Sequence, residues 1–458
     1  MNPPALQADE LRRLQAQDAA HHLHPFTPHR AMHEVGTHVI TGGQGVYLHD
    51  AEGRKLLDGI AGLWCVNVGY GRQEIVDAVE RQMRELPYYC SFFNSTTKPA
   101  IELAAKLGEL APDGLGQAFF TSSGSESNET ALKLVRGYFH AKGQPKRTKV
   151  IARQFAYHGV GLGSTSLTGL DTCLKPFGLP LEGFMHAPAP YQYIERDDAR
   201  RAMSPEDYGL WCVEQTRQMI EAEGPATVAA VFAEPIQGAG GVIVPPRGYL
   251  TALREMCRAY GVLFVADEVI TAFGRLGAWF ASEICGESGL QPDLICTAKG
   301  LSSGYLPIGA VLVQDAIAET MHDAGYLAHG FTYSGHPATC AAALANLKIL
   351  EDEKIVPYVA DTIGPYFQAK LRGFADHPAV GEVRGVNLIG AIELIDHERQ
   401  AGPAGTPIGP WFAGRVRERG VIVRGIRDLI ALSPPLVISE AEVDEMFDAV
   451  GAVLNEIG

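Results

Sequence analysis

The sequence lacks the long apolar runs and cysteine patterns that would place it in a membrane or in a disulfide-rich class. No apolar stretch approaches the ~18 residues that a membrane helix needs. The eight cysteines are scattered, with no C-x-x-C pair, so neither a disulfide framework nor a zinc ribbon is indicated. The N-terminal residues show no basic start followed by an apolar core, as a secretory signal would. We therefore expect a reducing, cytoplasmic location.

Basic residues are also fewer than acidic residues. The chain carries 38 Lys and Arg against 53 Asp and Glu, which gives a net charge of −15. A chain-wide cationic surface for nucleic acid or for an anionic membrane is therefore excluded. What is present is an ordinary globular composition, since 46% of the 458 residues are hydrophobic and 20% are charged. That length is enough for about two to three domains.

Short apolar runs alternate with helical patterns through the middle of the chain. The runs are continuously apolar, which is typical of strands that are covered on both faces of a parallel sheet. We therefore predict an α/β fold with a mostly parallel sheet covered by helices, whose ligands lie at the carboxyl ends of the strands. The predicted strands are residues 118–121, 149–153, 228–234, 262–267, 294–298 and 308–313.

The two ends of the chain have a different pattern. The C-terminal part combines a long helix, strands broken by glycines, and a last helix with a capping box formed by Ser439 and Glu442. This pattern predicts a smaller α+β domain, and a hairpin-like run at residues 43–58 is expected to pack with it. The predicted division is an N-terminal segment at 1–65, a large domain at 66–335 and a small domain at 336–458.

Two polar segments follow the first predicted strands. Ser123, Gly124 and Ser125 lie between a strand and a helix start, where backbone N–H groups and small hydroxyls bind anions. A plain helix cap is the alternative. Tyr157 and His158 follow the next strand, where an aromatic ring can stack on a flat ligand, although a core tyrosine would leave the same pattern.

Asp267 and Lys299 end two successive strands. A carboxylate there needs a cationic partner or a capping role, and a lysine against an apolar strand end is nucleophilic unless it reaches the surface. The two residues are roughly one β-α-β step apart, so they can face the same crevice. Pyridoxal phosphate (PLP) needs such a set of groups. Its phosphate needs the anion cradle and its ring an aromatic to stack on, while its pyridine nitrogen needs a carboxylate and its aldehyde a lysine for the Schiff base.

Several segments of the chain resemble the class III PLP-dependent aminotransferases, also called ω-aminotransferases. They are SSGSESNETALK, FAYHG, AEPIQG, VADEVITAFGR, CTAKGLSSGYLPIGA and HGFTYSGHP. The resemblance runs from about residue 24 to the C-terminus. It implies the PLP-dependent transferase fold of type I, PLP as the cofactor and a homodimer with sites at the subunit interface, two of which could pair into a tetramer.

The resemblance also implies roles for individual residues. It makes Lys299 the catalytic lysine that forms the Schiff base and moves the proton, and Asp267 the partner of the pyridine nitrogen. It places further cofactor contacts at Ser123, Gly124, Ser125, Tyr157, His158, Glu234 and Val269, and at Thr332 of the partner subunit. It places the substrate contacts at Phe26, Trp64, Tyr157 and Arg424, and at Phe92 and Phe93 of the partner subunit.

Two departures within the resemblance favour one branch. Family members that use 4-aminobutyrate or ornithine with 2-oxoglutarate usually carry a glutamate after EPIQG and read DEVQTG, whereas this chain has Ala239 and Ile270. The segments HLHPFT and GLWCVNVGYGR are most similar to putrescine- and aromatic-amine:pyruvate enzymes. The predicted reaction transfers an amino group from an amine, diamine or ω-amino acid to pyruvate, forming L-alanine and an aldehyde or ketone by a ping-pong mechanism, with Arg424 gripping the substrate carboxylate.

Other interpretations stay open at this point. The chain could be a 2-oxoglutarate-dependent 4-aminobutyrate-type aminotransferase, or another type-I PLP enzyme such as an aminomutase. Residues 300–304 also match G-x-S-x-G, which would make Ser302 the nucleophile of a serine hydrolase, but Pro307 follows where that motif needs a helix. The histidines at 21, 22, 24 and 29 are only a compositional hint, and no metal site is predicted. Which amine is the donor, and with which stereochemical preference, is left open.

Overall fold

A large central sheet with two smaller sheets beside it forms the framework of the computed structural model, which describes residues 5–285, 289–395 and 407–457. The strands are β1 (Ile40–Gln44), β2 (Tyr47–Asp50), β3 (Lys55–Asp58), β4 (Gln117–Thr121), β5 (Lys149–Arg153), β6 (Phe184–Ala187), β7 (Val228–Ala233), β8 (Leu263–Asp267), β9 (Leu294–Thr297), β10 (Gly309–Val313), β11 (Val380–Val386), β12 (Ile389–Leu394), β13 (Val421–Ile422), β14 (Arg424–Ile426) and β15 (Leu429–Leu432).

Helices cover these sheets. They are α1 (Ala8–His21), α2 (His29–Val35), α3 (Ala61–Trp64), α4 (Gln73–Glu85), α5 (Lys98–Leu110), α6 (Gly124–Ala141), α7 (Leu162–Leu167), α8 (Asp171–Leu174), α9 (Asp198–Arg201), α10 (Pro205–Glu223), α11 (Tyr249–Tyr260), α12 (Ala281–Ile284), α13 (Asp315–Asp323), α14 (Pro337–Asp352), α15 (Ile355–Tyr358), α16 (Gly364–Arg372), α17 (Ile408–Glu418) and α18 (Glu440–Leu454). Among the described residues, no helix combines the length and apolarity needed to cross a membrane.

The central sheet has seven strands in the order β4-β10-β9-β8-β7-β5-β6. All the strands predicted from continuous apolarity lie in it, and β5 to β9 run parallel. Strand β10 is antiparallel to both of its neighbours, because the chain turns back directly after β9 without a crossover helix. Strand β6 was missed by the sequence analysis because most of its residues are only partly buried.

Apolar side chains fill both faces of the central sheet. Val150 and Val265 pack on the face that contacts α6, whereas their neighbours Ile151, Phe264 and Ala266 pack on the opposite face. This alternation explains why the strands are apolar at every position rather than at every second one. Helix α6 lies across the first face with Ala131, Leu134 and Val135 fully or almost fully buried.

The beginning and the end of the chain meet in a second sheet. Strands β1, β2 and β3 form a meander, and β13 adds to β3 in parallel, with Leu57 opposite Val421. A third sheet, in the order β11-β12-β15-β14, contains only strands from the C-terminal part. The capping box predicted at the last helix is confirmed, because Ser439 and Glu442 hydrogen-bond reciprocally at the start of α18. The domain boundaries at residues 65 and 335 stay predictions.

The turn after β8 is fixed by a buried carboxylate that the sequence analysis did not single out. Glu268 is fully buried and accepts hydrogen bonds from the backbone N–H groups of Ala281 (2.6 Å) and Ser282 (2.9 Å). The hydroxyls of Ser282 and Thr271 donate to it at 2.6 and 3.1 Å. Four donors therefore surround a group that has no proton of its own, and together they hold the loop that follows Asp267.

We predict that Glu268→Gln destabilises the protein. The amide turns one acceptor oxygen into an NH2 group that faces donors, and each unsatisfied buried group costs about 1–3 kcal/mol. The melting temperature of the purified protein should fall clearly below that of a Glu283→Gln control, since Glu283 is a nearby carboxylate that accepts one 3.3 Å bond from Phe280. Equal melting temperatures for the two variants would contradict this role of Glu268.

Candidate active site

A cavity of about 970 Å³ lies at the carboxyl ends of the central strands. The segments that follow β4, β5, β7, β8 and β9 all contribute to its lining, as expected for a parallel sheet. Strand β14 and the segment between α1 and α2 add to the wall and roof. The residues predicted from the sequence that line this cavity are Phe26, Trp64, Gly124, Ser125, Tyr157, His158, Glu234, Asp267, Val269, Lys299 and Arg424.

Four of the predicted site residues lie outside this cavity. The hydroxyl of Ser123 caps α6 by accepting from the N–H of Glu126 at 3.2 Å. Phe92 and Phe93 line a different cleft, together with His329, and Thr332 is exposed. Only Ser123 was expected to reach the cavity of its own chain, and the other three were assigned to the site of a second subunit.

Asp267 forms the floor of the cavity. It is 4% exposed, and its Oδ2 accepts from Asn128 Nδ2 at 2.8 Å and lies 2.7 Å from His158 Nδ1. Its Oδ1 accepts from the backbone N–H of Val269 at 3.1 Å. These contacts orient a buried carboxylate toward the cavity and offset the cost of removing it from water.

Lys299 follows β9 and faces the same cavity. Its backbone lies in the left-handed region, with φ at 45°, a conformation that a non-glycine residue adopts only at some cost and that is common at functional sites. Burial lowers the pKa of its amine to about 8, although Asp267, Cys65 and Glu234 oppose that shift. The amine is therefore neutral, and able to act as a nucleophile or base, over a pH range in which an ordinary lysine is charged.

Glu234 lies between the segments that follow β5 and β7. It is 4% exposed, and its two oxygens accept from the N–H groups of Tyr157 and Gly238, each at 3.1 Å. Burial raises the pKa of Glu234 to about 7, with Asp267 adding to the rise and His158 opposing it. The contacts with Tyr157 and Gly238 assign it a role in shaping the cavity wall.

The start of α6 forms an anion cradle beside the cavity. Gly124 and Ser125 are its first residues, so their N–H groups have no acceptor within the helix and the helix dipole favours an anion there. A side chain at Gly124 would meet Val269, since a Cβ atom would lie 2.8 Å from Val269 Cγ1. A Cβ atom at Gly159 would lie 2.6 Å from Ser125 Oγ, so glycine at both positions keeps the cradle open.

These features fit PLP. The start of α6 suits its phosphate, Tyr157 offers an aromatic face, and the anion at Asp267 suits a protonated pyridine nitrogen. Lys299 supplies an amine for the aldehyde at the edge of the same cavity. The buried Nε2 of His158 and Oδ1 of Asn128 have no hydrogen-bond partner among the described residues, so polar groups at this floor are still available to a ligand or water.

The roof and wall of the cavity combine aromatic side chains with one guanidinium. Trp64 is almost fully buried, with φ at 64°, whereas Phe26 is 75% exposed and its ring centroid lies 6.3 Å from that of Tyr157. Arg424 is half-buried at the start of β14, and burial lowers the pKa of its guanidinium. Within the described part of the chain the guanidinium has no hydrogen bond or ion pair, so it is available to an anionic ligand.

Several lining residues were not predicted from the sequence. Asn128, which holds Asp267, is one turn after Gly124 on α6, and its position in a buried run of polar residues was the available signal. Arg427 donates to Gly240 O at 2.7 Å and packs over Phe155. Residues 170–173 also line the cavity, although nothing in their sequence marks them.

The serine of the G-x-S-x-G match is not arranged as a nucleophile. Ser302 is 2% exposed and its hydroxyl donates to Leu306 O at 2.6 Å. The residues that follow form turns rather than the helix that a nucleophile elbow needs. Ser302 is also absent from the lining of the cavity.

Comparison with known families agrees with this chemistry. Residues 30–454 match the family model described as class-III aminotransferase. Putrescine–pyruvate aminotransferase of Pseudomonas aeruginosa is 45% identical over 446 residues, which cover 97% of this chain and 96% of that protein. Diaminobutyrate–2-oxoglutarate transaminase of Halomonas elongata is 40% identical over 449 residues, which cover 96% and 94% of the two chains.

Solved structures show the same fold. An (S)-enantioselective omega-transaminase from Thermomicrobium roseum superposes with a TM-score of 0.92 at 43% identity, over 99% of this chain and all of that one. The omega transaminase of Pseudomonas jessenii in complex with PMP gives a TM-score of 0.92 at 40% identity, over 97% and 98% of the two chains. The type-I PLP fold predicted from the sequence is thereby confirmed.

We predict that Lys299 titrates far below an ordinary lysine in the cofactor-free protein. Competitive labelling of amines, followed by mass spectrometry across pH, should report an apparent pKa near the value of about 8 that burial produces. Lys98, whose side chain is 82% exposed, is the internal reference. Asp267→Asn should lower the pKa of Lys299 further, because the Asp267 carboxylate favours the charged amine. Labelling of Lys299 in parallel with Lys98 would contradict the burial argument.

Proposed function

Because the chain belongs to the class III aminotransferases, which depend on PLP, we propose that its acceptor is pyruvate and its donor a primary amine or diamine. The products would be L-alanine and an aldehyde or ketone. The observation that best supports pyruvate as the acceptor is the position of Arg424. Its half-buried guanidinium faces the cavity and forms no ion pair with a described residue. A planar guanidinium binds a carboxylate by two parallel hydrogen bonds, and pyruvate supplies a carboxylate beside its keto group.

Two other residues of the cavity lining support the same acceptor. Ala239 and Ile270 line the cavity at the two positions where the sequence departs from 4-aminobutyrate-type enzymes. A methyl group at position 239 offers no carboxylate to compete for the guanidinium. The relative that is 45% identical is named for putrescine and pyruvate, whereas the one that is 40% identical is named for 2-oxoglutarate.

Part of the cavity lining is apolar. Phe26, Leu63, Trp64, Ile236 and Tyr157 are among the residues that line the cavity, and such a surface favours contact with the hydrocarbon part of an amine. For an amine without a carboxylate, Arg424 must turn away from the cavity, and its lack of a fixed partner among the described residues leaves it free to do so.

The residues on the floor would hold the cofactor. Gly124 and Ser125 would bind the phosphate with Thr332 of the partner subunit, Tyr157 and Val269 would enclose the ring, and Asp267 would keep the pyridine nitrogen protonated. When bound, PLP supplies an aldehyde that condenses with primary amines and a cationic ring that withdraws electrons from the carbon next to the nitrogen. The protein's part is to orient these groups and to move protons.

Lys299 is the proton carrier in this proposal. Its amine, with a pKa of about 8, is neutral in roughly a tenth of the molecules at pH 7, far more than for an ordinary lysine, so it can remove a proton from the amine-bearing carbon of the donor. It then returns that proton at the cofactor end. In the second half of a ping-pong cycle the same amine works in reverse, while Arg424 holds the carboxylate of the keto acid.

We also propose that the working enzyme is a homodimer. Phe93 is 89% exposed, and Phe92 and Thr332 lie outside the cavity of their own chain. The ring centroids of Phe92 and Phe93 lie 5.8 Å apart in a cleft that Tyr326, 86% exposed, also lines, and contiguous exposed apolar patches of this kind are typical of interfaces. A second copy would cover them and would bring their equivalents to each cavity.

The first test is a donor panel with the purified protein. Putrescine, β-alanine, 4-aminobutyrate, taurine and 1-phenylethylamine are each supplied with pyruvate, and L-alanine is measured. We expect alanine from putrescine or 1-phenylethylamine, and much less product when 2-oxoglutarate replaces pyruvate. Activity with 2-oxoglutarate alone would contradict the acceptor, and rearrangement of an amino acid without net transfer would identify an aminomutase. Lys299→Ala is the inactive control.

The second test separates the two half-reactions by means of Arg424→Lys. Lysine keeps the charge and loses the bidentate geometry, so the half-reaction with pyruvate should slow by roughly a hundredfold, equivalent to about 2.7 kcal/mol. The half-reaction with an uncharged-tail amine such as 1-phenylethylamine should change little. Arg427→Lys is the matched control, because Arg427 is already bonded to Gly240. Equal slowing of both half-reactions would contradict the assigned role of Arg424.

A further inference from the structure

Three potential metal ligands meet where the N-terminal helix α1 ends. Asp18, His22 and His24 each offer a donor atom, and these atoms lie within 4.8 Å of one another. His24 Nε2 lies 2.9 Å from both oxygens of Asp18, and His22 Nδ1 lies 3.1 Å from Asp18 Oδ1. The two imidazole rings have centroids only 4.0 Å apart. The cluster is separate from the lining of the PLP cavity.

The local fold explains why these residues converge. Asp18 lies in the last turn of α1, and His22, four residues on, directly follows the helix with its N–H bonded to Asp18 O, so the two side chains lie on the same side of the helix end. At His22 the backbone becomes extended, with φ −113° and ψ 116°, and the chain turns so that His24 returns to Asp18. Thr37 donates from its hydroxyl to the second Asp18 oxygen. That contact fixes the carboxylate in the way that outer-shell groups fix metal ligands.

A third imidazole, that of His29, lies next to the cluster. The Nε2 atom of His29 is buried and has no partner among the described residues, and its ring centroid lies 6.4 Å from that of His24. A buried, unsatisfied ring nitrogen is costly unless something binds it.

We propose that Asp18, His22 and His24 bind one divalent transition-metal ion of the zinc type, with His29 available as a fourth ligand. Two or three imidazoles with one carboxylate are typical donors for Zn²⁺ at sites that have no cysteine ligand. The same set suits Mg²⁺ and Ca²⁺ poorly, because those ions prefer oxygen ligands throughout. The alternative is that His22 and His24 only form hydrogen bonds with Asp18, which requires no ion.

Metal binding would act on the roof of the cavity. Phe26 follows His24 by two residues, has φ at 49° and is 75% exposed, so few contacts fix its ring above Tyr157. An ion that ties His24 to α1 would restrict the segment from which Phe26 reaches the cavity. This site does not depend on which donor or acceptor the enzyme uses.

Calorimetric titration of the tag-free holoenzyme with Zn²⁺ tests the proposal. We expect one equivalent of Zn²⁺ per chain. Loss of an outer-shell partner weakens metal binding by roughly 10- to 100-fold, so loss of a direct ligand in His24→Ala or Asp18→Asn should weaken it by about a hundredfold. His21→Ala is the matched control, since His21 is adjacent but lies outside the cluster, and it should bind as the wild type does. Absence of saturable binding in the wild type, or equal binding by all variants, would overturn the proposal.

Limited proteolysis provides a second readout that does not involve catalysis. Zn²⁺ should slow cleavage between α1 and α2 in the wild type and in His21→Ala, and should have no effect on Asp18→Asn. Two separate ligand variants guard against misfolding of either one. Protection that persists in Asp18→Asn and His24→Ala would place the ion elsewhere and would also overturn the proposal.

Discussion

The buried carboxylate of Asp267 is the group on which the rest of the site depends. Asn128 comes from α6, His158 from the segment after β5 and Val269 from the turn after β8, and all three donate to or contact its two oxygens. Three distant parts of the chain are therefore fixed around one anion. Because a buried charge is very costly without its partners, this arrangement determines where the floor of the cavity lies. The field of the same anion also acts on the pKa values of Lys299 and Glu234.

Much of this arrangement could be predicted from the sequence, for a physical reason. Strands that are covered on both faces are apolar at every position, so a charged residue that ends such a strand stands out. Asp267 and Lys299 both end apolar strands of this kind, and this pattern marks them independently of any family resemblance. Strand β6 gave a weaker signal because only one of its residues is fully buried. The reversal at β10 was not visible either, since apolarity reports burial and carries no information about direction.

Other parts of the site depend on packing between distant segments and were therefore beyond sequence reasoning. Asn128 reaches Asp267 only because α6 lies across the sheet at a particular rotation. Residues 170–173 line the cavity through the path of a loop, and loops carry little periodic signal. Ser123 is the opposite case. Its place in the motif predicts a contact with the phosphate, but in the structure its hydroxyl caps α6. The assignment of Ser123 to the phosphate stays a prediction.

The pairing of β3 with β13 has a consequence for synthesis on the ribosome. Strand β3 has β2 on one side, and its other edge is covered only when Val421 pairs with Leu57. At translation rates of about 5–20 residues per second, that edge remains open for on the order of tens of seconds. An open edge can pair with other nascent chains. Arg54 directly precedes β3 and Lys55 is its first residue. Charges at this position discourage such pairing until β13 has been synthesised.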